Sequence, residues 1–155
     1  MDYRKANFSD SRDLFEWRND LATRKASIRS NEITWDEHKN WFEKVVASDE
    51  SILLIFHEEN VDSQKIGMTR IDIDEAGIEA EISINVNPAV RGRGFSVEMV
   101  SSTVSNAFNE LEQLVIIHAV VREDNLASLK VFEKAGFSLE SRGSGVVRFS
   151  VCRPI

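Results

Sequence analysis

Cysteine is almost missing from this chain: Cys152 stands alone among 155 residues, which excludes an internal disulfide framework and fits a reducing compartment. Proline occurs only as Pro88 and Pro154, and there is no repeat, low-complexity tract or Pro/Gly/Ser-rich linker. Residues 1–155 are therefore expected to form a single domain. No apolar run approaches the roughly 18 residues that span a bilayer. No apolar stretch follows Met1-Asp2-Tyr3-Arg4-Lys5 either, so neither a membrane segment nor a secretory signal is expected and the address implied is cytoplasmic. Positive charge is also in deficit. A formal net charge of −7 disfavours nucleic acid as a partner, because phosphate backbones are gripped by clustered Lys and Arg. The deficit is uneven: residues 1–48 carry nine basic and nine acidic side chains, and the remainder ten and seventeen. The amino-terminal third is locally neutral, with Arg18, Arg24, Lys25 and Arg29 close together in sequence. His38, His57 and His118 lack ligand spacing, and Asp72-x-Asp74 lacks the other ligands of a calcium loop, so no metal site is expected.

What is present is an ordinary globular composition, 42% hydrophobic and 29% charged, in a chain long enough to bury a core without staples. Residues 2–6 read as a strand, and Ser9 as the N-cap of a helix carrying Leu14, Phe15 and Trp17. A loop follows. Thr34 and Glu37 form a capping box for a helix whose apolar face is Trp41, Phe42, Val45 and Val46. Strands are expected at 52–56, 66–73 and 78–86, with 74–77 as a turn, making an antiparallel meander. Then come a Gly-rich turn, a helix at 95–111, a strand at 114–121 and a helix at 125–135 stopped by Gly136. Strand-like segments at 137–140 and 146–152 close the chain. The strand-helix-strand step from 78 to 121 implies a parallel crossover, hence a mixed sheet with helices on its faces.

The segment Pro88-Ala89-Val90-Arg91-Gly92-Arg93-Gly94-Phe95-Ser96 lies between a strand and a helix. Glycines there let the backbone curl so that several N–H groups face one spot, to which the helix dipole adds positive potential. Such a place holds an anion; the alternative is a glycine-assisted turn with no ligand. A Rossmann fingerprint from Gly92 would need glycine where Val97 stands, and no Walker Gly-Lys-Ser/Thr exists.

Arg91-x-x-Gly94-x-Ser96 resembles the Arg/Gln-x-x-Gly-x-Gly/Ala signature with which GNAT-family acetyltransferases bind the pyrophosphate of acetyl-CoA. Asn125-x-x-Ser128-x-x-x-Phe132-x-x-x-Gly136-Phe137 resembles that family's later motif. The resemblance implies an α/β fold with a mixed, mostly antiparallel sheet of six to seven strands, a central parallel pair splayed in a V, and about four flanking helices. Acetyl-CoA is then the co-substrate. It would lie along Ile84, Asn85 and Val86, with its diphosphate on Arg91, Gly92, Arg93, Gly94, Phe95 and Ser96, and with Asn125, Ser128 and Phe132 beside it. Asn125 also reads simply as a helix N-cap. The amine would attack the thioester directly, with an amide near a bulge in the strand 81–86 polarising the carbonyl.

Glu79 and Glu81 alternate with Ser83 on one strand face. Glu81 in Ala80-Glu81-Ile82-Ser83 resembles a glutamate found in many relatives and is the preferred base, working through water; a surface carboxylate is the bland alternative. His118 is a second candidate, set against a structural histidine. The family's general-acid tyrosine is replaced by Phe132, so the thiolate is expected to leave unprotonated or to take a proton from water. Cys152 is expected to be a buried, inert strand thiol.

Trp17-Arg18-Asn19-Asp20, then Arg24, Lys25 and Ser27, then Glu37-His38-x-x-Trp41-Phe42, is similar to GNAT members that acetylate amines on nucleotide-linked sugars, as in pseudaminic acid biosynthesis. Trp17, Arg18, Asn19, Arg24 and Trp41 are accordingly the candidate acceptor-binding residues, with core and solvated roles as the alternative. The partner expected is a small-molecule amine. A protein or peptide α-amine and a silent acyl-CoA-binding module are the other readings, and a homodimer is left open.

Overall fold

The computed structural model describes the backbone of residues 1–155 and the side chains of all but residues 62 and 63. The strands are β1 (Asp2–Lys5), β2 (Ser51–Glu58), β3 (Val61–Ile73), β4 (Glu79–Val86), β5 (Ile116–Arg122), β6 (Ser138–Gly143) and β7 (Val146–Cys152). The helices are α1 (Ser11–Asn19), α2 (Leu21–Ala26), α3 (Trp35–Ala47), α4 (Ser96–Glu110) and α5 (Leu126–Lys134). One sheet of seven strands runs β1-β2-β3-β4-β5-β7-β6. All its pairs are antiparallel except β4 with β5. The meander and the parallel crossover through α4 follow the sequence pattern.

The apolar run of β2 is buried on both faces, as a strand covered on each side must be. Ile52, Leu54 and Phe56 join the larger core with Met99, Val100, Ala107 and Phe108 of α4 and Phe132 of α5. Leu53 and Ile55 turn to the smaller core with Leu14 and Trp17 of α1 and Phe42 of α3. Each such side chain contributes roughly 1.5–3 kcal/mol through burial. Gly67 on β3 lets α4 and β4 come close: a Cβ there would stand 2.6 Å from the Asn85 carbonyl oxygen and 2.8 Å from Met99 Cε. Buried Thr103 of α4 donates to the Met99 carbonyl at 2.7 Å and shares a 2.7 Å hydrogen bond with Thr69 of β3. Among the described residues, no helix is long and apolar enough to cross a membrane.

Two local expectations give way. Ser9 does not cap α1. Asn7 accepts its N–H, and Asn7 with Asp10 forms a capping box on a short 3-10 turn (Phe8–Asp10), so α1 begins only at Ser11. The segment after α1 is not a loop but α2, capped by Asp20, whose side chain accepts the Thr23 N–H. None of α2 is buried, so it leaves no apolar period to read. It brings the helices to five, where about four were expected.

Candidate active site

The strand pair β4 and β5 is joined over residues 79–81 and 116–118 only. Beyond that rung β5 keeps β7 as its partner, and β4 keeps β3, in unbroken register to Gly67 opposite Val86. Residues 82–86, including Ile84, Asn85 and Val86, therefore present one backbone edge with no strand of the described residues beside it. Such an edge accepts an extended ligand as a further strand. The bulge expected in β4 is not there; β3 and β4 pair without a shift, and the opening comes from the divergence of the parallel pair.

The open end of this V meets the start of α4. Gly92 and Gly94 have φ of 76° and 82°, which a side chain would strain. Phe95 precedes the helix in an αR conformation, and no side chain caps it. The first N–H groups of α4, which have no intrahelical acceptor, are thus left for an external anion. Arg93 lies over the Phe95 ring at 5.1 Å and 3.7 Å from Glu58. Arg91 Nη2 sits 2.9 Å from Asp20 Oδ2 and also donates to the Thr23 hydroxyl. The Thr23 N–H and the Arg91 guanidinium, opposed by slight burial, hold the Asp20 carboxyl below the usual carboxylate range.

On the other arm, Asn125 Oδ1 accepts the Ser128 N–H at 3.2 Å, and Asn125 Nδ2 donates to the Ala26 carbonyl at 3.3 Å. The N-cap role of Asn125 is therefore realised. Asp20 begins α2 against Arg91 and Ala26 ends it against Asn125, so α2 reaches from one arm to the other. Phe132 belongs elsewhere: it is 3% exposed, packed on Phe137 at 5.1 Å and Phe149 at 6.1 Å. It is a core ring and not, as the motif implied, a residue beside the coenzyme.

Three of the chemical candidates share one face. Glu81 stands opposite Asp72 on one side and His118 on the other. Glu79 and Glu81 are exposed. His118 Nε2 lies 3.5 Å from Glu79 and Nδ1 2.8 Å from Glu140. Glu140 was not legible in the sequence, because β6 reaches His118 only through the β5-β7-β6 order. Cys152 is exposed, not buried as expected, since it ends β7.

The acceptor candidates divide. Trp17, 6% exposed, is a core residue, and burial leaves it no face for a ligand. Asn19 is consumed by structure, donating to the Ile33 carbonyl at 2.8 Å and accepting its N–H at 2.9 Å. Arg18 Nη1 and Arg24 Nε are buried and donate to nothing among the described residues. Trp41 lies under the Arg70 guanidinium at 5.3 Å. A broad acidic recess lined by Asp49, Glu50, Asp74, Glu75, Glu110 and Glu112 lies at the other end of β4 and α4, away from all of this. Among the described residues no three His, Cys, Asp or Glu side chains cluster as metal ligands would.

A sheet that parts at a parallel pair, with an uncapped, glycine-led helix at the mouth, is the architecture of an acyl-coenzyme transferase. Residues 2–138 match the family model described as "Acetyltransferase (GNAT) domain". The chain belongs to the GNAT acetyltransferases: it is an N-acetyltransferase, with acetyl-CoA as its donor. No match was found among curated proteins. Among solved structures it is similar to the spermidine N-acetyltransferase from Vibrio cholerae in complex with CoA and spermine, with a TM-score of 0.85 at 18% identity over 97% of this chain and 94% of that one. It is also similar to a GNAT-family acetyltransferase from Bacillus anthracis, with a TM-score of 0.79 at 21% identity over 97% and 93%.

Proposed function

We propose that residues 1–155 form a single N-acetyltransferase domain that moves an acetyl group directly onto the primary amine of a small molecule, an amino sugar linked to a nucleotide. The observation that carries the reading is the conjunction of the free β4 edge with the uncapped start of α4. Acetyl-CoA supplies the activated acyl group as a thioester. Residues 84–86 hold its pantetheine by backbone pairing, and the amides from Gly92 to Ser96, flanked by Arg91 and Arg93, hold its diphosphate. Asn125 and Ser128 close the other arm. This leaves juxtaposition as the main source of acceleration.

Glu81, exposed on the face of the cleft, takes a proton from the incoming ammonium through water, which keeps the amine nucleophilic. His118, held between Glu79 and Glu140, is the next candidate for proton movement. No phenol is at hand to protonate the leaving sulfur: Phe132 is core, and Tyr3 lies on β1, at the far edge of the sheet. A thiol of ordinary pKa, about 8.5, can leave as the thiolate into water. The basic side chains Arg18 and Arg24 support a phosphate-bearing acceptor.

Titration calorimetry with acetyl-CoA, followed by thiol release against amino-sugar nucleotides, amine-terminal peptides and spermidine, tests the proposal. Saturable coenzyme binding with turnover on the first group supports it. Turnover confined to peptides or polyamines overturns the acceptor, and absence of coenzyme heat overturns the site.

A further inference from the structure

We infer that Arg18, Arg24, Arg29 and Arg70 form an anion subsite for the acceptor, so that the molecule acetylated carries a phosphate or carboxylate besides its amine. This rests on the reading of the neighbouring cleft as the acetyl-transfer site.

The four guanidiniums come from separate places in the chain: the last turn of α1, the last turn of α2, the segment after it and the later part of β3. Burial lowers the pKa of Arg18, and the charges of Arg29, Arg70 and Arg24 lower it further. Two of the donors, Arg18 Nη1 and Arg24 Nε, are buried without a partner among the described residues. The acid that meets this group is Asp72, which accepts from Arg70 Nε at 2.8 Å. Among the described residues Arg18, Arg24 and Arg29 have no ion pair of their own. Unpaired buried donors and crowded cations both cost free energy, and an anion removes both costs together, because guanidinium forks match phosphate and carboxylate oxygens.

The position ties the cluster to the chemistry. Arg70 stands opposite Ser83 and Asp72 opposite Glu81, so Arg70 and Glu81 are diagonal neighbours on one face, about 7–8 Å apart between Cα atoms. Arg70 shares that face of β3 with Met68, which packs in the smaller core under α1 and α3. Trp41 supports the Arg70 guanidinium from that side at 5.3 Å. The two hydrogen bonds between Asn19 and Ile33 fix where α1 ends, and with it Arg18. The coenzyme diphosphate already has its own donors at the start of α4. A polycation such as spermidine, the substrate class of the V. cholerae neighbour, would meet four like charges here.

The test titrates the full chain with inorganic pyrophosphate while CoA is saturating, so that the α4 amides are occupied. Calorimetry or tryptophan fluorescence reads the binding. Saturable, salt-weakened binding is expected, reduced about tenfold or more in each of Arg29→Gln and Arg70→Gln, since a hydrogen bond to a charged group is of that worth. Arg70→Lys retains part of it, and CoA affinity stays unchanged in all three. Arg29 is exposed, so its variant decides the matter should Arg70→Gln fail to fold. Unaltered pyrophosphate binding in Arg29→Gln overturns the inference, as does a matching loss of CoA affinity, which would assign the cluster to the coenzyme. CoA binding without pyrophosphate binding removes this inference alone; loss of CoA binding in the parent protein removes the acetyl-transfer reading beneath it.

Discussion

The first turn of α3 is closed by its own side chains: Thr34 Oγ1 accepts the Glu37 N–H at 3.2 Å, and Glu37 Oε2 accepts the Thr34 N–H at 3.4 Å. The first turn of α4 has no such closure, and two positive-φ glycines lead into it. A capping side chain stabilises a helix by about 1 kcal/mol, and α4 forgoes it. Both helices pack a face into a core, so α4 can afford the omission through burial. The difference between them is that between a helix start closed by its own side chains and one whose donors are left open, which the proposed function assigns to the coenzyme.

That contrast breaks most visibly at the glycines. In Gly94→Val the added Cβ meets nothing within 4 Å, but φ of +82° is strained for any side chain, at roughly 1–2 kcal/mol. Acetyl-CoA affinity is expected to fall about a hundredfold as the amides lose their aim, with only that small loss in folding stability. Calorimetry beside a urea melt reads both; intact affinity would erase the distinction between the two helix starts. Next in size is Glu81→Gln, which should lower kcat by about 10²–10³. Coenzyme affinity should hold, because the side chain of Glu81 lies off the β4 edge. An unchanged kcat transfers the proton to His118.

The structural half of the molecule also closes its charges. Asp10, fully buried, receives Arg4 at 2.7 and 2.8 Å, Lys65 at 2.8 Å and the Asn7 N–H at 2.8 Å. Burial alone would push its pKa up, but Arg4, Asn7 and Lys65 outweigh it and bring the value from 3.8 to about 2. A carboxyl lowered on folding stabilises above its unfolded value and stops doing so as pH falls through its folded one. On the order of 2 kcal/mol should therefore disappear between pH 4 and pH 2. Urea midpoints across that range check it, and Asp10→Asn should flatten this part of the profile while weakening the fold at neutral pH.

The legible parts of the sequence were those with a period or a spacing. The capping box at Thr34, the meander, the crossover helix and the loop at Gly92 and Gly94 all appear where their residues place them. What escaped was set by partners distant in the chain. Helix α2 has no residue buried as a whole and is held by Arg91 and Asn125. Glu140 reaches His118 through strand order. Trp17 and Phe132 carry ring chemistry that suits a ligand or a core equally, and only packing decides between them.

The smallest effect tests the other side of the comparison. Thr34→Ala removes the oxygen that receives the Glu37 N–H and frees the Glu37 carboxylate from its return bond. It leaves the apolar face of α3 in place, including Phe42 at 1% exposure. The expected cost is about 1 kcal/mol of folding stability, seen as a lowered urea midpoint with unchanged slope. Acetyl-CoA affinity and kcat should not move, because the Thr34 and Glu37 side chains are turned to each other's N–H groups in the capping box. A kinetic defect from this substitution would mean that the first turn of α3, and not only Trp41 further along it, positions the acceptor, and the two helix starts would no longer divide fold from function.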